Sequence, residues 1–397
     1  MTDRRNIGEI RQSARKRLAD AENQFVRQTP QLDADLILCH VLGVSRTWLF
    51  LHNDDVLTTE QEAAIEAALE KRLGGLPVAY ITGEKEFYGR TFFVTQDVLI
   101  PKPDTELLVE KAVAYAKAAF GARASSEAER SRLGADSGAG VEVGRQFRFA
   151  DICTGSGCIA ISVLAELFAE LSGQDGCAGD AFERVHADAT DISAVALAVA
   201  RKNAEALLGC EGARSLQFHE GDLCGPLMAC GSKGGACGGV SQSADGGASG
   251  NEPIAKYDMV LSNPPYVPAT VTDELLKDGR GEPRLALDGD TDSALQSGTT
   301  SCDTDSALGG DFAQGVRAAD GKAADGSSGE QSSDGLAIIR RLIPQVKKIL
   351  LPGGVFFMET GEYNAEKAAE YLSKCGFTDI VIHRDLAGQL RLVESHI

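Results

Sequence analysis

The chain has ten cysteines but no Cys-x-x-Cys pair, and Cys153 and Cys158 have no histidines at zinc spacing. Structural zinc sites and redox dithiols are commonly built on such spacings, so neither is expected. The thiols read instead as reduced residues of a cytoplasmic protein. No run of about 18 apolar residues occurs, which argues against an ordinary membrane-spanning helix. The N-terminal stretch MTDRRNIGEIRQSARKRL is charged and helix-like and lacks the apolar core of a secretory signal. Basic charge is also scarce: 39 Lys+Arg stand against 58 Asp+Glu, a formal net charge of −19. Holding nucleic acid by phosphate neutralisation takes clustered Lys and Arg, and no basic, aromatic-rich segment is present.

What the sequence has in excess is glycine, 44 residues in 397. Much of it lies in three stretches near 121–146, 224–255 and 289–333, rich in Gly, Ser, Ala and Asp. Such segments bury too little apolar surface to offset the entropy of ordering, so they read as solvated insertions. The third repeats Asp290-Thr-Asp-Ser-Ala-Leu295 as Asp303-Thr-Asp-Ser-Ala-Leu308. Two copies make no solenoid, and the glycine and glutamate of a calcium loop are missing, so no metal is expected.

Set aside, those stretches leave a length that suits one helical domain and one α/β domain. Residues 1–75 predict helices: Leu32, Leu36, Ile37, Val41 and Leu42 recur at helical spacing and Gly43 ends the run. A second helix opens at Thr58–Gln61 with Ile65, Leu69 and Leu73 on one face. Residues 76–103 are aromatic and β-branched with glycine breaks and predict a hairpin linker. In 104–397 strands alternate with helices. Strands are expected at Phe147–Cys153, Val185–Thr190, Leu216–Glu220, Asp258–Ser262, Val355–Thr360, Asp379–His383 and Leu390–Glu394, with helices at Ile159–Leu171 and Ala194–Leu208. That alternation predicts an α/β domain with a mostly parallel sheet, its last two strands antiparallel.

Three motifs carry chemistry. Asp151-Ile-Cys-Thr-Gly-Ser-Gly157 joins the first of these strands to a helix. Small residues at Thr154, Gly155, Ser156 and Gly157 admit a ligand close to the backbone, and the helix presents free N–H groups. The spacing is neither the dinucleotide pattern nor the P-loop, so a nucleoside with a carboxylate but no phosphate fits better. A tight turn without a ligand is the alternative. Asp191 follows the next strand, where an acid can accept both ribose hydroxyls; otherwise it caps the helix near Ala194. Gly221-Asp222-Leu223 closes the third strand and either flanks an adenine or simply turns.

The fourth strand runs into Asn263-Pro264-Pro265-Tyr266. The prolines fix φ and lack N–H donors, so the turn is rigid and its carbonyls are available. The Asn263 side-chain carbonyl and the Pro264 carbonyl can hold both hydrogens of a planar amino group, with Tyr266 stacking on it. An amide or aryl amine is a poor nucleophile, and two acceptors that orient it act by positioning and electrostatics.

With these residues the chain resembles class I S-adenosylmethionine-dependent methyltransferases of the Asn-Pro-Pro-Tyr branch. More narrowly it resembles the release factor glutamine methyltransferase family, the PrmC/HemK type. The narrower likeness rests on Pro77-Val-Ala-Tyr-Ile-Thr-Gly83, Glu86-Phe-Tyr-Gly89, Val98-Leu-Ile-Pro-Lys-Pro-Asp-Thr-Glu106, Glu282-Pro283, Ala286-Leu287 and Asp334-Gly-Leu336.

The resemblance implies a Rossmann-like, mostly parallel seven-stranded sheet preceded by a small helical domain and a connecting hairpin. It implies S-adenosylmethionine as cofactor, held by Cys153, Thr154, Gly155, Ser156, Gly157, Asp191, Asp222, Leu223 and Asn263. Its substrate would be the glutamine of the Gly-Gly-Gln loop in peptide chain release factors, oriented and stacked by Asn263, Pro264, Pro265 and Tyr266. The N-terminal helices and the hairpin would help grip the release factor. The chain departs from the family pattern at Cys153, where glycine is usual, at Lys102 in place of arginine, and at Leu223 in place of an aromatic. The competing expectation is methylation of an exocyclic amine of adenine or guanine in nucleic acid, which the same acceptor pair could hold.

Overall fold

The computed structural model describes residues 5–133, 145–175, 182–229, 256–290 and 333–397. Most of the second and third glycine-rich stretches, part of the first, and all of the Asp-Thr-Asp-Ser-Ala-Leu echo except Asp290 lie outside the described residues. Two edges of those stretches are helical rather than irregular, as the helix ending at Leu133 and the turn of helix at Gly225–Ala229 show.

The N-terminal region is helical as expected: α1 (Ile7–Ala19), α2 (Pro30–Leu42), α3 (Arg46–Leu51) and α4 (Thr59–Leu73). Gly43 ends α2 in the left-handed conformation at φ 67°. Thr58 and Gln61 form a reciprocal capping box at the start of α4. The buried face of α2 differs from the sequence expectation. Leu32 is 39% exposed, while Asp33 and Asp35 are buried with Ile37 and Leu38. Arg72 donates to Asp33 at 2.6 Å and Arg11 to Asp35 at 2.5 Å. Two paired acids thus turn inward where Leu32 does not, since buried carboxylates are tolerated only with such partners.

The linker is not a hairpin throughout. Val78–Thr82 forms a short helix, α5, between Pro77 and Gly83. The hairpin itself is β1 (Glu84–Phe87) and β2 (Arg90–Phe93), antiparallel. Tyr88 and Gly89 turn it with φ of 48° and 69°, the paired positive angles that match the twist of a two-residue hairpin.

After α6 (Glu106–Leu133) the α/β alternation begins: β3 (Phe147–Ile152), α7 (Cys158–Asp175), β4 (Val185–Asp191), α8 (Ala194–Gly212), β5 (Leu216–Glu220), α9 (Gly225–Ala229), β6 (Tyr257–Ser262), α10 (Ala269–Leu276), α11 (Ala337–Ile349), β7 (Leu350–Glu359), α12 (Ala365–Lys374), β8 (Thr378–Arg384) and β9 (Leu390–His396). The seven-stranded sheet has the order β5-β4-β3-β6-β7-β9-β8. The strands from β5 to β7 pair in parallel, and β9 is antiparallel to both β7 and β8. Phe147 and Phe149 of β3 pack with α6 and α7, and Ala150 and Ile152 pack with α11, the alternation a sheet covered on both faces requires. β3 is flanked by β4 on one side and β6 on the other, so the chain order reverses there. In open α/β sheets ligands bind outside the carboxyl ends at such a switch point.

Candidate active site

A cavity of about 270 Å³ lies at the carboxyl ends of β3, β4, β5 and β6. Cys153, Thr154, Gly155 and Ser156 line it after β3, Asp191 at the end of β4, Asp222 and Leu223 after β5, and Asn263 and Pro265 after β6. Gly157, Pro264 and Tyr266 are not among its lining residues. Pro283, Leu285 and Ala286 close one side, and Lys102 and Thr105 another.

The glycine loop is held by its own acid and by the next strand. Thr154 Oγ1 donates to Asp151 Oδ2 at 2.7 Å, and its N–H donates to the Thr190 carbonyl at 2.9 Å. Asp151 is fully buried and burial pushes its carboxyl up to about 7, against the pull of its hydrogen bonds to Thr154 and Ala160. Gly155 has φ 55° with open space where a side chain would stand. Gly157, at φ 80°, serves packing: a Cβ there would lie 2.8 Å from Ile161 Cδ1 and 3.2 Å from Ala200 Cβ.

Asp191 does more than the sequence suggested. Its Oδ2 accepts from Gly155 N–H and its Oδ1 from Ser193 N–H, both at 2.9 Å. The helix cap is Ser193, whose hydroxyl accepts from Ala196 N–H at 3.2 Å. Burial raises the Asp191 carboxyl above its usual range although those N–H groups oppose the shift. Asp222 is ion-paired to Arg341 on α11. Leu223 takes a positive φ of 50° and packs into the core beside α11.

Asn263 leaves β6 half-buried. Its Nδ2 donates to Thr105 Oγ1 at 3.3 Å. Tyr266 turns its hydroxyl to Glu359 Oε1 at 3.1 Å, and its carbonyl accepts from Asn364 Nδ2 at 3.0 Å. Gly289 and Gly335 press against the Tyr266 backbone so closely that neither could carry a Cβ. Asp290 joins the two ends of the third insertion: it accepts from Ala269 N–H at 3.1 Å and Gly335 N–H at 2.8 Å. The insertion therefore leaves the turn after β6 locally intact. Among the described residues no group of three or more His, Cys, Asp or Glu is placed to hold a metal ion, and no helix is long and apolar enough to cross a membrane.

Residues 9–83 match the family described as PrmC N-terminal domain. Over 368 residues the chain is 32% identical to release factor glutamine methyltransferase of Bordetella pertussis, covering 93% of this chain and 95% of that protein. It belongs to the release factor glutamine methyltransferase family. The protein of the same name from Chlorobaculum tepidum is 36% identical, covering 65% of this chain and 68% of its own. That from Coxiella burnetii is 29% identical, covering 93% and 92%.

Two departures from the pattern of release factor glutamine methyltransferases have a structural reading. Cys153 sits at φ 63°, a left-handed angle that costs a non-glycine residue about 1–2 kcal/mol. Lys102 donates to Glu282 at 2.5 Å, tying the segment before α6 to the loop that walls the cavity. Sequence reasoning missed Thr105 and Glu359. Thr105 lay inside a quoted family segment, but only the folded chain shows that it receives Asn263. Glu359 had no local signal beyond ending a strand next to β6.

Proposed function

We propose that this chain transfers a methyl group from S-adenosylmethionine to the side-chain amide nitrogen of the glutamine in the Gly-Gly-Gln loop of peptide chain release factors. The observation that carries this is Asn263. It stands on the cavity wall with its Nδ2 engaged by Thr105, which leaves Oδ1 for a substrate amide hydrogen.

The residues present suit the cofactor. Gly155 leaves open space beside the backbone, Asp191 faces the cavity as an acceptor for ribose hydroxyls, and Leu223, Ile192 and Ile338 give apolar wall for an adenine. At about 270 Å³ the cavity falls just below the usual span of small-ligand sites, which begins at about 300 Å³. Bound there, S-adenosylmethionine supplies an electrophilic methyl group on a sulfonium sulfur. Cys153, Thr154, Gly155, Ser156 and Asp191 would hold it, with Gly157 packed behind the loop, and Asp222 and Leu223 would flank its base. Asn263 Oδ1 and the Pro264 carbonyl take the two hydrogens of the glutamine amide and aim its nitrogen. Pro265 and Tyr266 shape the slot. The protein adds orientation and fixed dipoles rather than a strong base.

The division at 1–75, 76–103 and 104–397 is part of the same proposal, with the helices and hairpin gripping the release factor and no nucleic acid required. Mass spectrometry of release factor after incubation with enzyme and cofactor tests it. One added methyl on the Gly-Gly-Gln glutamine is the expected result; label entering DNA but not release factor overturns it.

A further inference from the structure

Two buried polar side chains stand behind Asn263. Thr105, in the turn before α6, is 2% exposed, and so is Glu359 at the end of β7. β7 pairs with β6 at Ser262–Met358, so Glu359 follows on one strand where Asn263 follows on its neighbour. Thr105 Oγ1 accepts from Asn263 Nδ2 at 3.3 Å, and Glu359 Oε1 accepts from the Tyr266 hydroxyl at 3.1 Å. Glu359 Oε2 is buried and makes no hydrogen bond of ordinary geometry, while the Thr105 hydroxyl is near enough to pull the carboxyl down. The Thr105 hydroxyl, having accepted from Asn263, still has one proton to give.

We infer that Glu359 is a positioning residue: as an acceptor-only carboxylate it receives the Thr105 and Tyr266 hydroxyls, and so fixes the Asn263 amide with Oδ1 toward the substrate. The inference rests on the proposed glutamine methylation. An amide's orientation is set by its hydrogen-bond network, because its oxygen and nitrogen ends are alike in shape. With the Thr105 proton directed to Glu359, Asn263 meets only lone pairs and must present its NH2 end to Thr105. Once Glu359 is protonated, that restraint is released. The Thr105 proton can then turn to Asn263 Oδ1, and Asn263 would offer donors to a substrate group that needs acceptors.

The groups around Glu359 set where this happens. Burial pushes its carboxyl up to about 7, while Thr105, Tyr266 and Arg391 pull it down and Asp104 pushes it up. Burial raises the Cys158 thiol, and the Glu359 charge adds to that.

The test compares wild type with Glu359→Gln, Thr105→Val, Thr105→Ser and the Glu359→Gln/Thr105→Val double variant. The readouts are kcat, KM for release factor and cofactor Kd across about pH 6 to 9. Wild-type kcat should rise through about pH 7. Glu359→Gln and Thr105→Val should each lower kcat about 10- to 100-fold, the scale of a misplaced reacting group. Both should lose the acid limb and keep cofactor Kd within about threefold. Thr105→Ser should recover the limb, and the double variant should be no worse than the poorer single, as for residues acting as a unit. Wild-type kcat and limb in Glu359→Gln, full activity in Thr105→Val, or multiplying losses in the double variant would overturn the inference. A wild-type enzyme that binds cofactor but leaves release factor unmethylated defeats the function itself, which is a separate result.

Discussion

Asp191 Oδ2 accepts the Gly155 N–H at 2.9 Å, across the gap between the end of β4 and the loop that follows β3. One carboxylate thus ties the glycine loop in place and faces the cavity. Asp191→Ala should lower cofactor affinity about 100-fold, since it removes a paired acceptor of hydroxyls and leaves the Gly155 N–H unpaired. Stability should fall by about 1–3 kcal/mol. Calorimetric titration and thermal unfolding measure both, and unchanged affinity would refute the assignment.

Asn263→Ala removes the side-chain acceptor but little of the cavity wall. Turnover should drop by about 100-fold or more, the scale of deleting one oriented dipole, with cofactor affinity within a few-fold. Single-turnover methylation at saturating cofactor separates the two. A variant as active as the parent would show that Asn263 does not orient the amide.

The pH dependence of stability should have two opposed parts. Asp151 and Glu359 are both pushed up to about 7 by burial. Between about pH 4, the unfolded carboxylate value, and 7 the native chain holds protons that the unfolded chain has released. Their contribution is therefore greatest at the low end of that window and is lost as pH rises through 7. Asp188 works in the other direction. Burial alone would raise it, but His186 and His219 hold it well below the usual range. Its stabilisation is present above about pH 4 and disappears as the solution grows more acid. Denaturant midpoints of Asp151→Asn should lose part of the decline between pH 4 and 7, with the Glu359 part remaining. An unchanged slope would contradict this.

Two backbone positions in the glycine loop should respond in opposite ways. Cys153→Gly relieves a positive φ and should stabilise by about 0.5–1 kcal/mol, the relief being partly offset by glycine's extra chain entropy. Gly157→Ala puts a methyl group against Ile161 and Ala200 at a positive φ and should destabilise by about 1–3 kcal/mol. Thermal unfolding of the two variants gives the signs directly.

The sheet was largely legible because buried strands of a doubly covered sheet are short apolar runs with turns between them. β5 matches residue for residue, and β7 starts earlier than expected because Pro352, Gly353 and Gly354 disguise its first half. The α5 turn was hidden by Val78, Tyr80 and Ile81, residues with strand preference, although Pro77 and Gly83 mark its ends. The inward face of α2 was unreadable, since Asp33 and Asp35 look solvent-bound until Arg72 and Arg11 meet them. The cavity-facing positions of Asp191 and Asn263 could be foreseen from strand ends. The hydroxyl of Thr105 and the carboxyl of Glu359 could not, because sequence separation of 158 between Thr105 and Asn263 leaves no periodic trace.

Deletion of 291–332, joining Asp290 to Ser333, should leave folding and cofactor affinity near those of the parent. Ser333 Oγ donates to Asp290 Oδ2 at 2.6 Å, so the two ends already meet. Doubling a loop's length changes closure entropy by only about 0.6 kcal/mol, so shortening this one should shift stability little. Loss of soluble, cofactor-binding protein would show that the segment supports the fold.

Gly75 and Gly279 face each other with no room for a side chain on either, and Asn23 Nδ2 donates to the Asp278 carbonyl at 2.5 Å. Four residues further on, Pro283 begins the part of the same loop that walls the cavity. The loop thus touches the helical region with one face and the ligand space with the other. A change in affinity passed through it must be mutual, because linkage between two binding events has one free energy whichever comes first. If filling the cavity tightens a partner's hold on the helices by a given factor, the docked partner tightens the cavity's hold on its ligand by that same factor.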